Sequence, residues 1–413
     1  MQGAPFNLRL SGDFPDTLQD GGPARRETMI PFTVAALSCV IWIYLIAARG
    51  NFWHVPNFSI LRDFRTAGMQ ARVAIVVPAR NEADVIAQPI QSLLAQDYPG
   101  PLHIYVVDDQ SSDHTANVVR EAAAGHHERL CLLSSSPLPQ GWSGKMWALS
   151  QGVQHASDFA PDYLLFTDAD IVHGPDSVSS LVALADAGNR DLVSMMVKLR
   201  CDSFAERALI PAFVFFFFML YPPIWVNSPK RKTAAAAGGV VLVRADALAR
   251  IGGIAAIRHE LIDDCALARE IKLAGNIFLG LTENARSIRP YGSFGVIGRM
   301  ISRSAFYQLR HSAWFLLGTI LGLAITYLAP PVLVFAGDWT TLFAAASWIL
   351  MTIAFLPMVR FYSLSPLWAP MLPLIAMFYA AATIHSAIQY WLGRGGEWKD
   401  RVQDARQKRE SQI

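Results

Sequence analysis

Cysteine and charge are both scarce in this 413-residue sequence, which has four cysteines and only 16% Asp, Glu, Lys and Arg, where soluble domains carry roughly 25%. Cys39, Cys131, Cys201 and Cys265 are far apart and show no CxxC or Cys/His spacing. That excludes a cysteine-closed zinc site or a disulfide framework and points to a reducing compartment. An excess of charge of one sign is also missing. A formal net charge of +2 argues against a nucleic-acid partner, which needs a basic patch or stripe. No internal repeat or low-complexity tract is visible.

What the sequence has instead is apolar length. Hydrophobic residues make up 53% of the chain, and they concentrate at the two ends. Residues 29–48 carry no charge, lie between Arg25/Arg26 and Arg49, and match the roughly 20 residues a helix needs to cross a bilayer. The run is longer than a signal-peptide core and no small-x-small cleavage site follows, so it reads as a retained anchor after a polar N-terminal tail, 1–28. Three further apolar runs, 312–336, 339–358 and 366–392, have Trp and Tyr near several ends, as in interfacial anchoring. Pro330 and Pro331 interrupt the first of them, which frees backbone groups that neighbouring helices must satisfy. A fifth run, 208–226, is broken by Pro211, Pro222 and Pro223. Acidic motifs flank it on both sides, so a crossing would split one site between two faces of the membrane. It reads as an interfacial or re-entrant helix, with a buried helix of the soluble domain as the alternative.

After the linker 49–70, residues 71–290 alternate β-branched runs with helical stretches, the pattern of an α/β domain with a mostly parallel sheet. Strands are expected at 72–77, 103–107, 130–133 and 163–166, and each ends in polar residues, where open α/β sheets bind ligands. The first runs into Pro78-Ala79-Arg80-Asn81-Glu82, with Asn81 placed to cap the following helix. The second ends in Asp108-Asp109, acceptors able to recognise a base N–H or a ribose hydroxyl, or else a capped turn. The fourth runs into Asp168-Ala169-Asp170. Two carboxylates at that spacing after a buried strand are costly together unless a positive charge joins them, and a divalent cation, Mg²⁺ or Mn²⁺, suits their hard oxygens. Gly141-Trp142-Ser143-Gly144-Lys145 opens a helical stretch and could cradle a diphosphate, or be a flexible loop with a solvated lysine. Asp263 and Asp264 begin an amphipathic helix, where one acid is explained by capping and the other could act as a general base.

In this order, VVPARNE, VVDDQSSD, GKMWAL, TDAD and IDDCALAREIK resemble the family-2 glycosyltransferases of GT-A fold over about half the chain. The resemblance implies a nucleotide-sugar pocket from Pro78, Arg80, Glu82 and Asp109, with Lys145 near the diphosphate. It implies that Asp168 and Asp170 hold the nucleotide and the metal, that Asp264 acts as base beside Asp263, and that the anomeric carbon is inverted; UDP is favoured by resemblance alone. More narrowly, the anchor, GGVVLV at 238–243, SAFYQLR at 304–310 and GGEWK at 395–399 resemble the hopene-associated glycosyltransferases. That implies an enzyme of the bacterial inner membrane associated with hopanoid lipid metabolism, without establishing an acceptor; with the apolar runs the expectation is a multi-pass protein, its catalytic domain in the cytoplasm, acting on a membrane lipid. The QxxRW motif of processive synthases is not matched by Gln308-Leu309-Arg310-His311-Ser312, although a polymer synthase and a catalytically silent membrane scaffold remain the alternatives. Arg49, Arg62, Arg65, Arg72 and Arg360 place the middle region inside, whereas three crossings after the interfacial segment 291–311 would put the basic tail 393–413 outside, against the positive-inside tendency.

Overall fold

A computed structural model describes residues 23–58, 70–393, 397–398 and 401–402. Most of the N-terminal tail, residues 59–69 of the linker, and most of the basic tail, including residues 395, 396 and 399 of its motif, lie outside the described residues.

The apolar runs of the middle region form the strands expected of them. These are β1 (Val73–Ala79), β2 (Leu102–Asp108), β3 (Leu130–Ser134) and β4 (Tyr163–Thr167); four strands not among those expected follow, β5 (Ile171–His173), β6 (Leu192–Lys198), β7 (Val240–Arg244) and β8 (Ile277–Ser287). They make one eight-stranded sheet in the order β3-β2-β1-β4-β7-β6-β8-β5. Strands β1 to β4 pair in parallel, β7 runs antiparallel to both its neighbours, and β5 runs antiparallel to β8. The sheet is therefore mostly parallel, and the reversal at β7 matters. It pairs Thr167 with Val240, so the chain leaving β4 lies beside the chain entering β7.

Every residue of β1 is buried, as a strand covered on both faces requires. Alternation splits its side chains between two cores. Val73, Ile75 and Val77 pack with residues of α2 (Ala87–Leu94), α3 (Thr115–Ala122) and α5 (Ser177–Ala187). Ala74 and Val76 face α4 (Gly144–Ala156), which approaches so closely that a Cβ on Gly152 would collide with Val76 Cγ1.

That second core does not stop at the domain. It continues through α6 (Phe204–Leu220) into α1 (Pro23–Ala48), α13 (Asp338–Phe361) and α14 (Leu372–Trp391). α6 starts with a capping box in which Ser203 and Glu206 satisfy each other's backbone N–H, and it ends before Pro222 and the short α7 (Pro223–Val226). Phe215 of α6 packs on Phe355, ring centroids 5.2 Å apart, and Tyr379 donates from Oη to the Leu209 carbonyl at 2.9 Å. The chain leaves the sheet at β6 for α6 and returns as β7, the hydrogen-bonded neighbour of β6. After α8 (Ala245–Arg250) and α9 (Asp263–Lys272), β8 leads into α10 (Phe294–Gln308) and then into α11 (Ala313–Leu323) and α12 (Ala329–Leu333).

By length and composition, five helical stretches among the described residues could cross a membrane: Met29–Ala48, Phe204–Val226, Ala313–Leu333, Asp338–Phe361 and Pro366–Trp391. The second is mostly covered by protein, whereas the first and third are largely open. Their open faces carry side chains such as Ile30 and Trp314, 71% and 80% exposed. An apolar surface of this extent is suited to lipid, and the chain is built for membrane association.

The proline pair has a specific consequence. Pro330 cannot donate to the carbonyl four residues back, so the Thr326 carbonyl is freed, and residues 324–328 widen into a π turn. The indole N–H of Trp42 on α1 donates to that carbonyl at 2.9 Å, and the Ser38 hydroxyl does so at 3.4 Å. Replacing Trp42 with Phe keeps the packing on Tyr327 but removes this donor. The expected loss is about 1 kcal/mol, read as a lower thermal midpoint of the detergent-solubilised protein, with a larger fall for Trp42→Ala.

Candidate active site

The reversal at β7 brings Lys145, Asp168, Asp264 and Gly238 to one place. Ser143 caps α4, its hydroxyl accepting from the Met146 N–H, which sets Lys145 in the first turn with its side chain directed across the sheet end. There its ammonium lies 3.0 Å from Asp168 Oδ1 and 3.2 Å from Asp263 Oδ2. Burial opposes the charge on Lys145, but Asp168, Asp263 and Asp264 outweigh it and raise its pKa. Pro78, Lys145, Asp168, Gly238, Asp263 and Asp264 line a single cavity.

Asp264 differs from its neighbour. No side chain caps α9, because its N-cap residue is Ile262, which has no acceptor; Asp263 opens the first turn and reaches Lys145. Burial, reinforced by the charge of Asp263 and moderated by Lys145, pushes the Asp264 pKa up to about 6. A Cβ at Gly238 would stand 3.2 Å from Asp264 Oδ2 and 3.5 Å from Lys145 Nζ, so the glycine leaves the room in which the two approach.

A second group gathers around Asp109. It is fully buried at the end of β2, accepts from Ser135 Oγ at 2.9 Å, and has Arg80 Nη1 3.9 Å from Oδ2. Arg80 also donates to the Asp109 carbonyl. Asn81 does not cap α2, which begins at Ala87. It has left-handed backbone (φ 51°), and its carboxamide instead accepts from the Ser112 N–H at 2.9 Å, tying the β1 and β2 loops together.

The third group could not be read in the sequence. Glu82 and Asp170, both buried, share Arg289: its Nη2 lies 2.8 Å from each Glu82 oxygen, and its Nε 3.4 Å from Asp170 Oδ2. Ser287 also donates to Asp170. Arg289 follows β8, and only the β8–β5 pairing brings it to Asp170. The segment after it is held by Glu206, whose carboxylate accepts from the N–H groups of Asp202, Ser203, Tyr291 and Gly292. Burial works against that charge, but the four backbone donors hold Glu206 below its ordinary range. The capping box gives a sequence signal for Glu206 at α6; nothing local signals its hold on Tyr291.

Lys145 and Arg289 thus supply the positive charge that the Asp168/Asp170 pair requires. Among the described residues no group of three or more His, Cys, Asp or Glu side chains could hold a metal by itself. Asp168 is the more open carboxylate, 37% exposed, and Asp170 stands behind it, 9% exposed. This donor set fits a Mg²⁺ or Mn²⁺ ion that takes its remaining oxygens from a diphosphate and water, the usual arrangement for Mg²⁺.

The sheet order, with its reversed strand beside the acidic loop, is that of the nucleotide-diphospho-sugar transferase (GT-A) class. The mannosyltransferase of Pyrobaculum calidifontis, solved in complex with GDP-Man and Mn²⁺, shares this fold at TM-score 0.50 and 18% identity, over 88% of this chain and 97% of that one. More particularly, residues 74–252 match Glycosyl transferase family 2. An N-acetylglucosaminyltransferase of Rhizobium leguminosarum bv. viciae is 30% identical over 154 residues, 36% of this chain and 34% of that protein. An undecaprenyl-phosphate 4-deoxy-4-formamido-L-arabinose transferase of Edwardsiella ictaluri is 31% identical over 149 residues, 36% of this chain and 42% of that one. The matches thus span 34% and 42% of the length of these two relatives.

Removing Arg289 leaves two buried carboxylates without their cation. Arg289→Met is expected to cost about 1–3 kcal/mol, below the usual figure for a fully buried pair because the guanidinium is partly exposed. Millimolar Mg²⁺ or Mn²⁺ should restore more of the thermal midpoint in this variant than it adds to the wild type.

Proposed function

We propose that this protein is a membrane-bound, inverting glycosyltransferase that moves one sugar from a nucleotide-sugar donor to a lipid acceptor at the cytoplasmic face of a bacterial inner membrane. The observation that carries the reading is Asp264, a carboxylate with a raised pKa in the cavity that also holds Lys145 and Asp168. A general base works best with its pKa near the operating pH. Asp264 takes the proton of the acceptor hydroxyl as the oxygen attacks the anomeric carbon. The bond from that carbon to the diphosphate breaks on the opposite side, and its electron pair leaves with the nucleoside diphosphate.

In this reading Pro78, Arg80, Glu82 and Asp109 orient the nucleotide, and Lys145 turns from Asp168 and Asp263 to the departing diphosphate. A divalent cation, when bound at Asp168 with Asp170 behind it, would neutralise charge on the leaving group. Arg289 fixes Glu82 and Asp170. The lipid reading is supported by the placement of the site. The Tyr221 hydroxyl at the end of α6 meets Gln308 of α10, and Tyr307 donates to Glu260 just before the helix that carries Asp264. An acceptor in the bilayer would therefore meet the base where α6 and α10 converge, and α6 would be re-entrant at the interface. The relative named for undecaprenyl phosphate and the resemblance to hopene-associated enzymes point the same way, toward a polyisoprenoid or hopanoid lipid. The solved mannosyltransferase with GDP-Man adds GDP-sugars to the UDP-sugars to be screened as donors.

The test is release of nucleoside diphosphate by the solubilised protein with UDP- or GDP-sugars, Mg²⁺ or Mn²⁺, and a bacterial lipid extract. Asp264→Asn is expected to lower transfer by about 10²–10⁴-fold with donor affinity largely kept, whereas Asp168→Asn should also weaken metal-dependent donor binding. Normal transfer by both variants would refute the assignment. The base must be ionised, so kcat/KM should fall about tenfold per pH unit below about 6. Lys145→Met removes a cation that lowers this pKa, so the acid limb of its residual activity should move to higher pH.

A further inference from the structure

We infer that the loop after α7 is a binding site for anionic phospholipid head groups of the bilayer that α1 enters. The inference rests on the membrane placement of α1 and is independent of the chemistry assigned to Asp264.

The depth of the loop is fixed by contacts. Arg49 directly follows the last residue of α1, its Nε donating to the Met219 carbonyl at 3.1 Å. Its guanidinium carbon lies 4.8 Å from the centre of the Trp225 ring, and that of Arg231 lies 5.4 Å from the same ring. Gln308, just before the entry to α11, reaches Tyr221 at the other side of this turn. Two membrane-entering helices thus meet the α6–α7 turn at their ends, the level of the head groups. Leu220 and Ile224, 46% and 58% exposed, present apolar side chains there.

The charge is concentrated and uncompensated. Lys230, Arg231 and Lys232 are exposed on consecutive positions, and among the described residues no carboxylate forms an ion pair with any of them or with Arg49. The loop is also held. Lys272 donates from Nζ to the carbonyls of Trp225, Val226 and Thr233, at 3.3, 2.5 and 2.6 Å. Asn227 exchanges two hydrogen bonds with the Leu279 backbone, at 3.1 and 2.7 Å. Carbonyls turned inward onto one ammonium leave the basic side chains outward, on a frame that loses little freedom when phosphates bind. Two guanidiniums over one indole repel each other unless an anion lies near both. A negatively charged membrane surface supplies such anions at this depth.

Each basic residue near an anionic surface contributes roughly a fivefold preference. The full-length protein in mild detergent would be equilibrated with equimolar phosphatidylglycerol and phosphatidylcholine, re-isolated, and its retained lipids weighed by mass spectrometry. Phosphatidylglycerol should be enriched, with the enrichment cut at least tenfold in Lys230→Gln/Arg231→Gln/Lys232→Gln and kept in the charge-preserving Lys230→Arg/Arg231→Lys/Lys232→Arg. In the wild type it should also fall between 0.05 and 0.5 M NaCl, a readout that needs no variant to fold. Equal retention of the two lipids, enrichment unchanged by salt, or enrichment unchanged in the neutralised variant would overturn the proposal. So would displacement of the phospholipid by millimolar inorganic phosphate, which would assign the loop to a soluble anion.

Discussion

Five carboxylates, Glu82, Asp168, Asp170, Asp263 and Asp264, converge on the ends of one sheet, and two cations hold them there. Lys145 serves one side and Arg289 the other. Carboxylates withdrawn from water in such number would otherwise protonate or force the loops apart. The surrounding architecture is arranged around that balance: the cap on α4 aims Lys145, Glu206 pins the segment beyond Arg289, and Gly238 keeps a narrow passage between Lys145 and Asp264 open. Lys145 bridges Asp168 to Asp263 and Arg289 bridges Glu82 to Asp170, and the two halves meet through the short backbone from Asp168 to Asp170.

The reading of the sequence succeeds where the signal is local. β1 and β4 are buried along their whole length and read as apolar runs closed by polar residues, as parallel strands covered on both faces must; β2, with His103, and the half-buried edge strand β3 keep enough of that pattern to be legible. The acidic pair after β4 and the lysine opening α4 stand out for the same reason. Arg289 does not, since it belongs to the site only through the pairing of β8 with β5, and its partner Asp170 lies over a hundred positions earlier in the chain. A lone arginine before a proline carries no mark of that. Asn81 misleads, because a residue type favoured at helix starts is equally at home with left-handed backbone, and here it joins two loops. The acidic pair at α9 illustrates a subtler limit: both residues suit a helix start, and only the position of Lys145 shows which of them it pairs with.

The catalytic domain and the apolar helices are not joined merely by linkers. One core runs from Val76 in the sheet through Phe215 of α6 to Phe355 and Tyr379. The sheet is therefore docked through a shared hydrophobic interior, and its acidic edge has a fixed orientation relative to the apolar bundle.

The bond between Trp42 and Thr326 also constrains how the molecule is made. These residues are 284 positions apart, so α1 emerges from the ribosome and can insert while its partner carbonyl does not yet exist. During the whole synthesis of the sheet, the indole waits without the acceptor it was placed to find. Biogenesis is thus ordered from outside in: the first helix is a wall of the bundle delivered early, the catalytic domain folds while tethered to it, and the enclosure closes only when the proline-broken helix arrives and offers its spare carbonyl.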